Sequence, residues 1–254
     1  AAAIEAGKGI AHRYAQDATD EMDCIIMEEL PSVPYVRAED YLEGIFAGYF
    51  EDESDGATHT IADSDGNAVV LDTDADTVHF DAYEEFMAAE TIVPAGTQAD
   101  YVASRETLTD GAQNGADFEL APYGIDVVEA DGSAWLPLTT CNDLFADSYC
   151  AALYIDGEVY FANLTDEEPY YDASALLAPE RAQDLAEYAY DELCFVMDEL
   201  YGAPARAELS EAIEEKGFDA AVGALEDGSV REGLRSTDTA EFAAALAKLD
   251  GLVD

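Results

Sequence analysis

The sequence predicts an α+β protein: a mixed, mostly antiparallel β module with short helices, followed by a small helical bundle. Three observations carry this expectation. Apolar residues recur at helical spacing near both ends of the chain, and from about 57 to 165 they alternate with polar ones. Turn-forming Gly, Asp and Asn residues separate the alternating runs. With 254 residues, the chain can form one large domain or two modest ones around a buried core.

Residues 1–32 fit an amphipathic N-terminal helix, with Ile10, Tyr14, Ala18, Met22 and Ile25 approximating one face and Pro31 and Pro34 stopping it. A second helix over 38–49 places Tyr41, Leu42, Ile45, Phe46 and Tyr49 on its buried side. A β-rich module then occupies 33–168 together with that helix. In it, "ATHTIADSDGNAVVLDTDADTVHF" reads as three strands, the first turn lying at Ser64-Asp65-Gly66-Asn67. "DAYEEFMAA" returns to helix, and strands resume through "GAQNGADFELAPYGIDVVEADGSAWLPL". Trp135 and Leu136 are apolar strand residues, and Trp135 is expected to be buried; Pro137 removes a donor at the strand's end. Thr140 and Asp143 have capping-box spacing at the start of a short helix, and "AALYIDGEVYFA" is a hairpin over Asp156-Gly157.

Residues 169–254 read as the helical bundle. Pro179 marks a helix start, and Ala182, Leu185, Ala189, Leu193, Val196 and Leu200 keep a spacing of three to four until Gly202. Leu209 with Ile213, and Phe218 with Val222 and Leu225, mark shorter helices. A last helix begins near Asp238, has Glu241 at the capping-box offset and turns Phe242, Leu246 and Leu249 inward. No repeat of 20–50 residues and no low-complexity linker is visible.

Charge is the compositional outlier: 58 Asp and Glu against 10 Lys and Arg give a formal −48. Such a chain repels nucleic acid and anionic lipid. An apolar fraction of 49% argues against disorder. The acidity reads either as an Ala/Asp-biased coding style on an exported surface or as adaptation to high salt and multivalent cations. There is no run of 18 apolar residues, so no transmembrane segment is expected. The opening "AAAIEAGKGIAHRYAQ" lacks an initiating Met and a hydrophobic signal core, which reads as a processed chain or a fragment.

The candidate chemistry is sparse. Cys24 and Cys194 sit among apolar residues as core thiols, without CxxC spacing for zinc; Cys141 and Cys150 are either a disulfide or two thiols. "DSDGN" at 63–67 and "DTDAD" at 72–76 invite a calcium reading. In an EF-hand frame from Asp72, however, Thr77 takes the glycine place and Tyr83 the glutamate place, so solvated hairpin turns are the expectation. His12, His59 and His79 lack metal-ligand spacing, and His59 and His79 are expected on a solvated strand face. No GxSxG elbow surrounds a serine, and the numerous carboxylates locate no catalytic pair. Tyr154 and Tyr160 flank the 156–157 turn, where they either pack the strands or line a groove for peptide or glycan. No catalytic, cofactor-binding or metal-binding residue is assigned, and no cofactor is expected.

Two stretches carry a resemblance. "DGSAWLPLTTCNDLF…AALYIDGEVYF" resembles the strand–Pro–helix unit of copper amine oxidase N-terminal-like domains, with Trp135 at the aromatic place, Pro137-Leu138 as its "PL" and Leu144-Phe145 ending the helix. "LPSVPYVRAEDYLEGIF", "YGIDVVEADGSAWLPLTTCNDLF", "YDELCFVMDELYG" and "VREGLRSTDTAEFAAALAKLDGLVD" occur in an order that resembles the N-terminal half of exported tail-specific (C-terminal processing) serine peptidases, the peptidase S-forty-one family. The resemblance implies a non-catalytic region whose catalytic serine and lysine lie downstream. It implies a peptidase domain in the same chain and a peptide or protein substrate as partners, and a place outside the cell or in its envelope. The alternative is a stand-alone acidic cell-surface module that binds peptide or glycan without catalysis.

Overall fold

The computed structural model describes residues 3–13, 19–46, 48–83, 86–87, 115–146, 150–155, 157–163, 178–200 and 209–253. The chain divides into two compact units, Ala1–Val93 with Gln113–Leu176 and Pro94–Ala112 with Leu177–Asp254. The fold class is α+β, with antiparallel sheets and several helices.

The described residues of the first unit form twelve strands, β1 (Ala3–Arg13), β2 (Thr19–Met27), β3 (Tyr35–Arg37), β4 (Phe50–Asp55), β5 (Thr58–Asp63), β6 (Ala68–Asp72), β7 (Thr77–Phe80), β8 (Ala116–Glu119), β9 (Val128–Ala130), β10 (Ser133–Pro137), β11 (Cys150–Ile155) and β12 (Glu158–Asn163), with helices α1 (Ala38–Phe46) and α2 (Leu138–Phe145). Seven strands form one sheet in the order β11-β12-β1-β2-β3-β10-β9, and five form another in the order β4-β5-β6-β7-β8. Among the described residues, the parallel pairing joins β1 to β12.

The N-terminal helix expected over 1–32 is instead a β-ribbon, β1 antiparallel to β2. Gly7 and Gly9 each disfavour a helix by about 1 kcal/mol. The short apolar run of β2 fits both periods, so pairing decides. Flanked by β1 and β3, this strand buries Met22, Cys24, Ile25 and Met27. Helix α1 ends at Phe46, earlier than expected, and Tyr49 is 68% exposed. The acidic strand β4, "FEDESD", has no apolar alternation to announce it; it forms by pairing with β5 around Gly56, which takes φ +69°. The strands expected between 57 and 80 are present as β5, β6 and β7. Of the helix expected at "DAYEEFMAA", the described part shows one helical turn, Phe86 N–H donating to Ala82 O at 2.9 Å.

The pairing hides a repeat. Segment 35–63 runs β3–α1–β4–β5, and segment 135–163 runs strand–α2–β11–β12. The registers coincide once 100 is added to each residue number. Phe50↔Asp63 through Asp55↔Thr58 becomes Cys150↔Asn163 through Ile155↔Glu158. β3 and β10 pair antiparallel about Val36↔Leu136, so that Arg37 faces Trp135 and Tyr35 faces Pro137. Within the first unit, the two copies thus meet through the β3–β10 pairing. Inward residues correspond as well: Val36 and Leu136, Ala38 and Leu138, Tyr41 and Cys141, Ile45 and Phe145, Ile61 and Phe161 are all buried. The sequence does not announce this 100-residue offset because the chemistry at matching positions differs; Tyr49/Tyr149 and Ala62/Ala162 are identical, while most other pairs differ in type. The helices meet through Tyr41, whose ring lies 6.0 Å from Phe145 and 5.8 Å from Phe161. A Cβ at Gly44 would come within 2.1 Å of the Phe161 ring, so α1 sits at a distance only glycine permits.

The second unit contains α3 (Gln183–Phe195), continued by a π turn at Val196–Leu200, then α4 (Ser210–Lys216), α5 (Phe218–Gly223), α6 (Ser229–Leu234) and α7 (Thr239–Val253). Helix α3 starts after Ala182, three residues beyond Pro179, and its buried stripe is Ala186, Tyr190, Cys194 and Met197. The expected stripe through Leu185, Ala189, Leu193 and Val196 is only half-buried, one position round the helix. Asp238 caps α7 as expected, accepting from Ala240 and Glu241 N–H at 2.8 and 3.0 Å. The Glu241 carboxylate turns to the Ser236 hydroxyl, 2.7 Å away, and Leu246 is 41% exposed. Arg181 ties this unit together: its guanidinium donates to Leu234 O and Ser236 O and stacks 3.9 Å from the Phe242 ring centroid.

Candidate functional site

Burial of ionisable groups singles out one place in the first unit. Strand β5 alternates, so the inward phase set by Ile61 also carries His59 inward. His59, expected on a solvated face, is 0% exposed. Its Nδ1 lies 2.8 and 3.1 Å from the two Asp52 carboxylate oxygens, and that side chain is also buried. The signal was present in the sequence: His59 and Ile61 share a strand face. What the sequence did not show is β4, and therefore Asp52.

Glu39, in the first turn of α1, completes the cluster. Ser133 Oγ donates to Glu39 Oε1 at 3.1 Å, bringing in β10 from the other sheet. Burial, then the neighbouring Asp52 charge, pushes the Glu39 carboxyl up to about 7. Among the described residues Glu39 Oε2 is buried without a hydrogen-bond partner. That burial suits a protonated Glu39, and Asp52 accepts from His59 Nδ1–H. The far ring nitrogen, His59 Nε2, is buried without a hydrogen-bond partner. The arrangement can hold and release a proton. It does not activate Ser133, whose hydroxyl is spent on Glu39.

His79 behaves differently. It lies half in solvent, as expected, bonded to Asp117 at 2.6 Å and Asp81 at 3.1 Å, and these hydrogen bonds raise its pKa. His12 has its side chain outside the described residues. No protein-family model matches the chain, and curated proteins and solved structures yield no match either.

The acidic turns are built as turns. Asp63 accepts from the backbone N–H of Asp65 and Asn67 and from the Asn67 amide, and Asp72 accepts from Asp74 and Ala75 N–H. Among the described residues no group of three or more His, Cys, Asp or Glu is placed to hold a metal ion. All four cysteines are thiols; Cys24, Cys141 and Cys194 are buried, and burial pushes Cys194 up to about 12. Tyr154 pairs with Val159 and Tyr160 with Leu153, so the two tyrosines project from opposite faces of the hairpin and cannot share one groove.

Trp135 is 2% exposed, with Nε1–H donating to Ala130 O at 2.9 Å and the Arg37 guanidinium 4.9 Å from its ring centroid. Helix α2 begins at Leu138, directly after Pro137, with no side-chain cap. Thr140, expected as its cap, is a buried residue inside the helix. No described helix is long and apolar enough to cross a membrane.

Proposed function

We propose that this chain is the non-catalytic N-terminal region of an exported serine peptidase of the tail-specific type, supporting substrate access and positioning for a downstream catalytic domain. The observation that carries this reading is the strand–Pro–helix–hairpin unit at 133–163, the element on which the resemblance rests. The recurrence of its strand, helix and hairpin at 35–63, with Arg37 in the proline's place, supports a scaffold role, because a duplicated packing unit supplies rigid surface. The chemistry of the chain supports the same reading. Amide hydrolysis needs an activated hydroxyl within reach of a base. Ser133 is bonded to Glu39, the His59–Asp52 pair is closed to solvent, and Lys248 is exposed and paired with Glu226 at 2.6 Å. In this proposal the partners are a peptidase domain in the same chain and a peptide or protein substrate, and the site of action is the cell envelope or the exterior.

The test compares the 254-residue chain with the natural reading frame extended past codon 254, on casein and on peptides with free apolar C-termini. Turnover is expected from the extended protein alone. Turnover by the short chain that survives repurification refutes the non-catalytic role. A stop codon at that point favours the stand-alone binding module.

A further inference from the structure

The repeat gives the outer edge of β4 an internal comparison. Strand β11 ends the seven-stranded sheet and β4 ends the five-stranded one, and the two hold matching places in their copies. In an antiparallel pair the N–H and C=O of one residue point to the same side, and successive residues alternate sides. Phe50 N–H donates to Glu43 Oε1 of α1 at 3.3 Å, away from β5, so the main chains of Asp52 and Ser54 also point off the edge. Ala152 holds the place of Asp52 in the second copy, and there the Asn142 amide occupies both main-chain groups, at 2.7 and 2.9 Å. The first copy has Leu42 in place of Asn142, and a leucine side chain can bond neither group. Among the described residues no partner is found for the outward groups of Asp52 and Ser54.

Exposure points the same way. The Asp52 side chain turns inward to His59 and is 4% exposed, yet the residue as a whole is half-buried, so solvent reaches its main chain. Ser54 is exposed. The buried Asp52–His59 contact holds β4 against β5 from inside, which leaves the edge preformed. On the opposite face of the strand Glu51, Glu53 and Asp55 are exposed. These carboxylates repel a second copy of β4 and suit a strand with cationic side chains across from them. The other open edges are shorter, four residues in β8 and three in β9 against six in β4.

We propose that the open edge of β4 takes up an extended basic peptide segment as a further strand of its sheet. The added strand runs antiparallel, as each pairing from β4 to β8 does, and exchanges main-chain hydrogen bonds with Asp52 and Ser54. Its lysine or arginine residues stand opposite Glu51, Glu53 and Asp55, and uncharged residues alternate with them. Under the peptidase reading this segment belongs to the peptide or protein substrate, and that identification alone rests on that reading. Binding is measured on the 254-residue chain by itself, so its failure and a failure of the peptidase assay are separate results.

The probe is a blocked peptide of alternating lysine and threonine, with threonine chosen for its preference for extended chain. Amide hydrogen exchange of the full chain is followed by NMR with and without it. With peptide at about ten times its dissociation constant, the Asp52 and Ser54 amides should exchange about tenfold more slowly, because only the free fraction exposes them. The Glu51 and Glu53 amides, which face β5, are the reference. N-methylation of the threonines removes the donors that face β4 at unchanged charge and should abolish the slowing. N-methylation of the lysines, whose N–H groups face away, should preserve it. Ser54→Pro removes an outward N–H without touching the β4–β5 ladder and should weaken binding about tenfold. Leu42→Asn installs the amide of the second copy and should close the edge to the peptide; should that core change prevent folding, Ser54→Pro still decides. Equal binding of the threonine-methylated peptide would reduce the contact to long-range charge and overturn the proposal. Unchanged exchange at Asp52 and Ser54, or full affinity in Ser54→Pro, would overturn it as well.

Discussion

Trp135 shows how much a single residue can disclose before any coordinates exist. It follows the Asp131-Gly132 turn, precedes a strand-ending proline and is the only tryptophan, so its burial was legible. Its partners were not: the ring is closed by the Ala130 carbonyl and the Arg37 guanidinium, and Arg37 comes from a strand nearly a hundred residues earlier. Replacing Trp135 by Ala should cost about 3–5 kcal/mol in urea unfolding, the range for deleting a packed large aromatic. Trp135→Phe keeps most of the apolar contact and loses the Nε1 hydrogen bond, which should cost less. An alanine variant within about 1 kcal/mol of the wild type would mean that the ring is not part of the core. His59 teaches the opposite lesson. Its strand phase was readable from Ile61, but histidine is polar enough to be placed outside by habit. Only Asp52, on a strand without an apolar pattern, explains how the interior accommodates it.

At the scale of elements, the readable parts were those whose period is unambiguous: α1, the strands from β5 to β7, the hairpin β11–β12 and the capped start of α7. The misread parts depend on long-range pairing. β1 and β2 become strands because they have neighbours in a sheet, and β4 because β5 folds back on it. Asn142 illustrates an element-level device that no local pattern reveals. β11 is the end strand of its sheet, and the Asn142 amide bonds the Ala152 backbone on both sides: Oδ1 accepts from Ala152 N–H at 2.7 Å, and Nδ2 donates to Ala152 O at 2.9 Å. Oδ1 also accepts from Tyr41 OH at 2.8 Å, which joins the two helices of the repeat. The matching residue in the first copy is Leu42, so Asn142→Leu is a natural exchange of side-chain size at this position. It should still cost about 1–3 kcal/mol, because it strands a buried N–H and carbonyl pair. Thermal and urea unfolding of this variant provide the measurement, and an unchanged midpoint would show that the amide does not secure the edge.

For the whole molecule, charge is the property most plainly written in the sequence and least visible in any one contact. A net −48 over 254 residues is roughly one uncompensated negative charge for every five residues. Several cations are already committed locally: Arg37 to Asp23 and Asp40, Arg231 to Asp219, Lys248 to Glu226. Arg181 instead serves backbone carbonyls and an aromatic ring. Exposed ion pairs of this kind contribute about 0–1 kcal/mol each, too little to offset a long-range repulsion summed over the surface. The folded chain concentrates these charges, whereas the unfolded chain spreads them apart, so repulsion disfavours folding most at low ionic strength. Raising the salt shortens the screening length from about 30 Å at 0.01 M to about 3 Å at 1 M, which removes most of the repulsion while leaving buried contacts largely untouched. The melting temperature should therefore rise between 10 mM and 1 M NaCl, with most of the gain below about 0.3 M, where screening changes fastest. Sodium perchlorate distinguishes screening from salt effects on apolar hydration, because it screens equally but does not strengthen burial. Both salts should raise the melting temperature over the lower part of that range and diverge only above it. A melting temperature that is flat in both salts, or rises only in concentrated NaCl, would mean that the acidic surface exerts no measurable strain on this fold.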